Sequence, residues 1–296
     1  MSNITLRQLR YFDALAEHGH FGRAAEACAV SQPALSVQIK ELEDALGCIL
    51  CERMPRQVRL TTLGREFLRR TRDILRAVDE LEDVSRAARD HWVGELRIGV
   101  IPTIAPYLLP KIVQELTEQF PGAEIHMRET MTSNLIRELI DGRIDTAILA
   151  LPISDPALTE VPLFDEEFVL VRPLADKDKP VPNREGLREM RLLLLEEGHC
   201  FRDQALSFCD MHNTNPRETL DGSALSTLVQ MVGAGMGVTL IPDMAVGVET
   251  RSAPVTVSRF DAPKPSRTIG MVWRASSPLA QQFHRMAECV KRAAKT

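Results

Sequence analysis

A long stretch without proline constrains this chain most, because its pattern is that of one continuous helix separating two blocks of sequence. From Thr62 to His91 the only glycine is Gly64. Apolar residues recur there at helical spacing, and charged residues occupy the other face; the apolar positions are Phe67, Ile74, Leu75, Val78, Leu81 and Val84. A helix of that length needs a partner for its apolar stripe. We therefore predict a linker helix that pairs with a second copy of the chain, with packing against the chain's own body as the alternative.

The balance of positive and negative residues changes within the predicted linker helix, near residue 76. The formal net charge is −5, which at first argues against nucleic acid as a partner. Residues 1–76, however, carry 12 Lys+Arg against 9 Asp+Glu, and the remaining residues carry 24 against 32. A slightly basic head on an acidic body is typical of a small DNA-binding module joined to a larger ligand-handling one.

The head, residues 1–59, has the pattern of three short helices followed by a wing strand at residues 57–60. Thr5 and Ser31 are suitable N-cap residues for the first and third helices, which Gly19 and Gly47 end. Short helices joined by tight turns predict a helix-turn-helix, whose second helix enters the major groove of DNA. A merely solvated polar face is the alternative. The residues that we expect to contact DNA are Gln32, Pro33, Ser36, Gln38, Lys40, Arg53, Arg56 and Arg59.

The body alternates strand and helix patterns. Apolar runs predict strands at residues 95–101, 124–129, 145–151, 168–171, 192–195, 238–241 and 268–273, and residues 279–294 form a closing helix. Such an order predicts an α/β fold with parallel strands and right-handed crossovers. Glycines at positions 233, 235 and 237 lie between a helix and a strand, the reverse of a dinucleotide-binding loop, so we interpret them as a tight turn.

Two cysteines in the segment 198–209 indicate thiol chemistry. Cys200 is flanked by His199 and Arg202, and a cationic neighbourhood favours the thiolate that reacts with peroxide. Cys209 lies nine positions further on, where it could resolve a sulfenic acid into a disulfide. In a helix the two Cα atoms would lie about 13 Å apart, whereas a disulfide requires about 7 Å or less. The disulfide would therefore require the segment to refold.

Two simpler interpretations of these cysteines stay open. Unpaired cysteines are most often buried small hydrophobic residues. A zinc site is the other interpretation, because His199, Cys200, Cys209 and His212 are all ligand types. Structural zinc sites usually contain closely spaced cysteine pairs, which this segment lacks.

Together these residues resemble the LysR-type transcription regulators. In the head the resemblance is carried by residues 21–25 and 31–36, by Leu46-Gly47 and Arg53, and by residues 60–64. In the body, residues 193–205 are similar to the sensing segment of the peroxide-sensing members, and residues 102–103, 106–110 and 267–270 also match. Cys51 is a departure, since the family usually has an aromatic residue there. Cys48 and Cys51 occupy positions where the family packs apolar side chains, so we interpret them as buried thiols rather than a redox or metal pair.

The resemblance implies a division into four segments. Residues 1–59 would form a winged helix-turn-helix DNA-binding domain and residues 60–93 the linker (dimerisation) helix. The rest would form a two-lobed effector domain, like a periplasmic binding protein, with mixed α/β sheets. Lobe I would comprise residues 94–165 and 268–296, and lobe II residues 166–267 with the redox cysteines.

It also implies a function, the sensing of hydrogen peroxide. Cys200 would be the peroxide-reactive thiolate and Cys209 the resolving thiol, and their disulfide would refold the effector domain and change promoter binding. The implied peroxide pocket comprises Thr103, Thr132, His199, Arg202, Asp203 and Arg267. The implied partners are hydrogen peroxide, double-stranded DNA with two-fold symmetric promoter sites, and other copies of the chain, as a dimer through the linker helix and a tetramer of two dimers. Contact with RNA polymerase stays open, and no cofactor, metal ion or membrane is implied.

Two other functions compete with this hypothesis. One is a LysR-type regulator that binds a small organic effector in the cleft between the lobes. The other is a thiol peroxidase enzyme, against which the DNA-binding head argues. The sequence shows no secretion signal and no apolar run long enough to span a membrane, and it contains six cysteines, so we expect a cytoplasmic protein.

Overall fold

The computed structural model describes residues 4–54, 57–87, 92, 94–209 and 221–295. The chain divides into two units, Met1–Ser85 and Arg86–Thr296. Within the described ranges, no helix is both long and apolar enough to cross a membrane.

The first and third helices of the first unit begin and end at the predicted capping residues. The short helices of this unit are α1 (Leu6–His18), α2 (Phe21–Ala27) and α3 (Gln32–Leu46). The Thr5 hydroxyl accepts a hydrogen bond from the Gln8 backbone N–H, and the Ser31 hydroxyl accepts one from Ala34. Gly19 and Gly47 adopt φ angles of 58° and 67°, a left-handed conformation that ends a helix most easily at glycine.

A wing and a long helix complete this unit. Strand β1 (Cys51–Met54) pairs antiparallel with β2 (Gln57–Leu60), and α4 (Thr62–Ala87) follows. Sequence spacing predicted β2 but not its partner. Cys51 is buried in the core of the head and Cys48 is half-buried against it, in agreement with packed thiols. The last residues of the predicted linker helix, 88–91, lie outside the described residues.

The second unit has the predicted α/β alternation. Its first part contains β3 (Gly94–Val100), α5 (Ala105–Gln119), β4 (Ala123–Glu129), α6 (Thr132–Ile140), β5 (Thr146–Leu151) and β6 (Leu158–Pro173). Its second part contains α7 (Arg184–Arg188), β7 (Leu194–Leu195), α8 (Cys200–Cys209), β8 (Asp221–Gly222), α9 (Leu225–Gly233), β9 (Thr239–Pro242), α10 (Val246–Glu249), β10 (Val255–Ser258), β11 (Ser266–Arg274) and α11 (Ala280–Lys295).

Each lobe of this unit has its own core. In the first lobe, β3 pairs in parallel with β4 and β5, and β11 lies antiparallel to β5. A second apolar core is built on the later half of β6 with β9 and α9. The glycines after α9 form a tight turn, as predicted, since a Cβ at Gly237 would collide with the carbonyl of Arg191.

Strand β6 connects the two lobes and is longer than the predicted strand at 168–171. Its first half pairs with β11 and its second half with β9 and β10. The first half was missed because it contains Pro162 and a run of acidic residues, which depart from the continuous apolar pattern of a buried strand. Among the described pairings this half has β11 on one side only, and an edge strand tolerates proline and charge.

Candidate functional site

The candidate site is organised around the start of α8, which carries Cys200. The turn before it contains Gly198, whose φ angle is +99°, in the region that favours glycine. A Cβ at Gly198 would lie 2.8 Å from the Met131 Sδ, so the turn closely approaches the residue before α6. Cys200 itself is half-buried and packs against the core of the first lobe. Cys200 thus lies where the two lobes meet.

Cys200 and Cys209 are free thiols at opposite ends of α8. A ten-residue helix separates its end Cα atoms by about 13 Å, too far for a disulfide. The Cys209 side chain is fully buried, and burial raises its pKa to about 11, although the nearby Arg184 and Arg188 oppose this shift. Cys209 is therefore a protonated thiol at neutral pH in this arrangement.

Arg267 links the site to three other elements. Its side chain is 0% exposed, and its Nε donates to Glu166 Oε2 at 2.8 Å. Its Nη1 donates to Thr103 Oγ1 at 2.8 Å and its Nη2 to the Thr103 carbonyl at 3.2 Å. The Arg267 Cζ also lies 5.3 Å from the centroid of the Phe201 ring, within the range of a cation–π contact. The structure thereby brings Thr103 and Arg267 together, next to the residue that follows Cys200.

Glu166 is a member of this cluster that sequence reasoning missed. Its carboxylate is buried, pairs with Arg267 and accepts a hydrogen bond from the Met244 backbone N–H at 3.4 Å. Burial raises the pKa of the Glu166 carboxyl, and the Arg267 guanidinium acts in the opposite direction. In the sequence, Glu166 lies within an acidic run that has the appearance of a solvated surface. Only its position opposite Arg267 in the β6–β11 register reveals the pair.

His199 differs from the cation that the sequence suggested. It is 5% exposed, and burial lowers its pKa, against a weaker opposing effect of Glu196. A buried imidazole is therefore favoured in its neutral form at pH 7. A burial-lowered pKa disfavours the expectation that His199 supplies positive charge to Cys200.

The other predicted pocket residues have different surroundings. Thr132 begins α6, and its buried Oγ1 has no hydrogen-bond partner among the described residues. The Arg202 Nη1 donates to the Leu195 carbonyl at 2.7 Å. Asp203 is exposed and lines a surface pocket of about 580 Å³ together with Arg184 and Phe208. The described contacts thus connect Asp203 with this surface pocket and not with the Thr103–Arg267 pair.

A zinc site gains no support from the described part of the chain, where no group of three or more potential ligands is found. His212, which that hypothesis required, lies outside the described residues. The residues implicated in the function therefore remain the thiols and the polar groups around Arg267.

The head presents four of its eight expected DNA-contacting residues fully to solvent. Gln32, Pro33, Lys40 and Arg59 are exposed, and Ser36 and Gln38 are half-buried. The Gln38 amide donates to Glu41 Oε2 at 2.7 Å, which ties it to its own helix. Arg53 lies in β1, and Arg56 falls outside the described residues. The structure thus leaves the N-terminal end of α3 accessible.

An apolar stripe on α4 is also exposed. Its members are Leu63, Ile74, Leu81 and Val84, of which Leu81 is 71% exposed. Ile74, Leu81 and Val84 belong to the stripe that the sequence predicted for pairing between two copies, and Leu63 adds to it. The other predicted members, Phe67, Leu75 and Val78, are half-buried. The Phe67 ring packs against Phe12 of the head.

Two family models together match most of the chain. Residues 6–65 match the "Bacterial regulatory helix-turn-helix protein, lysR family" model, and residues 89–295 match the "LysR substrate binding domain" model.

Similar proteins also align over nearly the whole length. The chain is 42% identical over 293 residues to the DNA-binding transcriptional dual regulator OxyR of Escherichia coli K12, covering 97% of this chain and 95% of that protein. It is 42% identical over 296 residues to a probable hydrogen peroxide-inducible genes activator of Streptomyces viridosporus, covering 98% and 94% of the two chains.

Solved structures of OxyR proteins also align with nearly the whole chain. A full-length OxyR variant from Pseudomonas aeruginosa is 37% identical, with a TM-score of 0.79 and coverage of 98% of this chain and 96% of the other. A cysteine variant of Corynebacterium glutamicum OxyR with bound hydrogen peroxide is 37% identical, with a TM-score of 0.66 and coverage of 98% and 92%. By its helix-turn-helix head, its substrate-binding domain and these relatives, the chain belongs to the LysR family of bacterial regulatory proteins.

Proposed function

We propose that this protein is a hydrogen-peroxide-sensing transcription regulator in which Cys200 is oxidised by peroxide and Cys209 resolves the product to a disulfide. The observation that carries this proposal is the placement of the two free thiols at opposite ends of one helix, with Cys200 beside the Thr103–Arg267 cluster. Relatives at 42% identity are described as hydrogen peroxide-inducible activators and as OxyR, which supports the same function.

The first chemical step is attack of the Cys200 thiolate on one peroxide oxygen. The S–O bond forms and the O–O bond breaks, and the departing hydroxide takes up a proton to become water, leaving a sulfenic acid. Thr103 Oγ1 accepts from Arg267, so its own O–H remains available to donate to a peroxide oxygen. Thr132, whose Oγ1 is buried without a partner among the described residues, is a second hydroxyl suited to this role.

The second step joins the two thiols. The Cys209 sulfur attacks the sulfenic sulfur, the S–O bond breaks, and water leaves with the Cys209 proton. Because the helical Cα separation exceeds disulfide geometry, α8 must open for this step. That opening is the event by which oxidation of the effector domain would change promoter binding.

The arrangement of Arg267 argues against a small organic effector. An anionic effector in the cleft would need a positive charge free to bind it, whereas the Arg267 guanidinium is fully buried and already bonded to Glu166 and Thr103. A thiol peroxidase would have no use for a DNA-binding head, so we propose that the protein is not an enzyme. Absence of steady-state peroxide turnover with a thiol reductant tests this point.

DNA is the proposed macromolecular partner, and two copies are proposed to pair through the exposed stripe of α4. A symmetric dimer presents two heads to a two-fold symmetric DNA site. Tetramer formation stays a prediction of the family resemblance, and a cytoplasmic location stays a prediction from the sequence. Contact with RNA polymerase stays open.

Replacing each thiol separately tests the proposed chemistry. We expect Cys200→Ser to abolish switching of a target promoter by peroxide while DNA binding by the unoxidised protein persists. We expect Cys209→Ser to accumulate a sulfenic acid or an over-oxidised Cys200, detected by mass spectrometry of the intact protein. Cys289→Ser, at a buried thiol in α11, is the matched control and should respond like the unmodified chain.

Two results would contradict this assignment. Normal peroxide switching by Cys200→Ser would exclude Cys200 as the sensor. Full formation of an intramolecular disulfide in Cys209→Ser would assign the resolving role to another thiol.

A further inference from the structure

The C-terminal turn of α8 is held by contacts that the proposed chemistry must break. The Phe208 ring lies between two neighbours: the Arg184 Cζ is 4.7 Å from its centroid, and the Phe260 ring centroid is 5.3 Å away at an interplanar angle of 63°. Arg184 begins α7, and Phe260 lies between β10 and β11. Two separate elements of the second lobe thus hold one ring.

The next residue is the proposed resolving cysteine itself. The Cys209 side chain is fully buried, and its backbone carbonyl accepts a hydrogen bond from Arg188 Nε at 3.0 Å. Cys209 cannot approach Cys200 while α8 is intact, because the helix holds their Cα atoms about 13 Å apart. When the helix unwinds so that Cys209 can reach Cys200, Phe208 moves with its neighbour Cys209. Phe208 then loses its contacts with Arg184 and Phe260.

We propose that Arg184 and Phe260 form a clamp on Phe208 that sets the rate at which Cys209 resolves oxidised Cys200. The proposal rests on the function proposed above and assigns positioning roles to two residues that touch neither peroxide nor the reacting sulfurs. The contacts of Phe208 with Arg184 and Phe260 exist in the intact helix and must be lost before the disulfide forms. They therefore raise the free-energy barrier to resolution, and weakening them should make resolution faster.

The clamp decides between two fates of the sulfenic acid. In one, Cys209 attacks it and water leaves, which yields the reversible disulfide. In the other, a second peroxide molecule oxidises it to the sulfinic acid and is itself reduced to water. Only the second rate depends on peroxide concentration. The clamp therefore sets the peroxide concentration above which the sensor is over-oxidised instead of switched.

The test measures resolution separately from the first oxidation. Peroxide is mixed with the full-length reduced protein, samples are quenched with a thiol-alkylating agent, and sulfenic, sulfinic and disulfide forms are followed by mass spectrometry. We expect Arg184→Gln to form the disulfide about two- to five-fold faster, which corresponds to about 0.5–1 kcal/mol for an exposed cation–π contact. Phe260→Leu should act in the same direction, and both variants should produce less sulfinic acid at high peroxide.

Three comparisons distinguish a clamp from a general loss of structure. Arg184→Lys retains a cation and should resolve at close to the original rate. Arg251→Gln, at an exposed arginine elsewhere in the second lobe, should leave both rates unchanged. The rate of the first oxidation of Cys200 should be the same in all variants. Because Arg184 is exposed, Arg184→Gln is expected to fold. Faster resolution in this variant supports the clamp directly, since loss of the Arg184 charge alone would raise the pKa of Cys209 and slow its attack.

Unchanged or slower disulfide formation in both Arg184→Gln and Phe260→Leu, with normal oxidation of Cys200 and normal pairing with Cys209, would overturn the clamp and leave the proposed function intact. Both variants are needed because Arg184, unlike Phe260, also lowers the pKa of the Cys209 thiol. Failure of peroxide to oxidise Cys200 in the unmodified chain would instead overturn the proposed function.

Discussion

His199 lies buried immediately before the reactive cysteine, and its environment makes a prediction about pH. Burial lowers its pKa in the folded protein below the value of about 6.5 in the unfolded chain. Below that pH the unfolded chain binds the extra proton more readily, so the free energy of unfolding should fall as the pH drops through this range. At neutral pH and above, this destabilising effect is absent.

Urea unfolding at pH 7.5 and 5.5 measures the effect. Burial raises the pKa of Glu166, so protonation of this carboxyl stabilises the folded protein as the pH falls, opposite to the effect of His199. The effect of His199 is therefore isolated by comparing the unmodified protein with a His199 variant. We expect His199→Gln to lose less stability on acidification than the unmodified protein. His126→Gln is the control for replacing an exposed histidine. Equal losses for His199→Gln and the unmodified protein would refute the buried neutral imidazole.

Arg267 and Glu166 show at the residue scale why a site can escape sequence reasoning. The two residues are separated by 101 positions and become partners only because β6 and β11 align them as a cross-strand pair. Isolated burial of either charge would be costly, so each requires the other. Nothing in the local pattern around Glu166 distinguishes it from the acidic residues on either side.

At the scale of elements, the head offers two different surfaces to DNA. Gln32 is exposed in the first turn of α3, where base edges are read, and Arg59 is exposed on β2, where a wing contacts phosphates. We expect Gln32→Ala to lose about 1–3 kcal/mol of binding, mainly at one base pair. Arg59→Ala should instead weaken binding to all sequences and reduce the salt slope by about one.

Binding isotherms over a range of salt concentrations, on specific and scrambled DNA, separate the two effects. Glu17→Ala, at a position far from the first turn of α3 in the sequence, serves as a control in the same domain. The assignment of Gln32 to a base and Arg59 to a phosphate would be reversed by the opposite result. In that case Gln32→Ala would weaken binding to all sequences, and Arg59→Ala would weaken it mainly at one base pair.

Helix α8 is the element in which the sequence was most informative about function. Its cysteine spacing predicted that a disulfide requires refolding, and the observed helix from Cys200 to Cys209 has that consequence. Phe208 is half-buried and held by a ring on one side and a guanidinium on the other, an arrangement set by two elements distant in sequence.

For the whole molecule, oxidation is expected to change how the heads contact DNA. Opening of α8 should increase hydrogen exchange of its backbone amides, because the helical hydrogen bonds are lost. Since α8 contacts the first lobe through Cys200 and the second lobe through Phe201, its opening should alter the contacts of the effector domain with other copies. We therefore expect the DNase footprint to change more than the overall affinity.

Exchange measured over residues 198–209, together with footprinting, compares the reduced and oxidised states. Peroxide-treated Cys209→Ser is the control, since it should be oxidised without refolding. A complete disulfide with unchanged exchange and an unchanged footprint would exclude refolding as the route from thiol to DNA.

Much of this architecture follows from local spacing. Capping residues such as Ser31 and Gly47 and the glycine turn after α9 depend on neighbours within a few positions, so local spacing predicts them. The cysteine spacing and the exposed stripe of α4 are equally local. The order of the strands, with β11 antiparallel to β5, depends instead on pairings between distant segments. The surroundings of the reactive thiol required the fold, because Thr103, Glu166 and Arg267 come from three distant strands or turns. The same holds for the neutral state of His199, since desolvation depends on everything packed around a side chain and on none of its sequence neighbours alone.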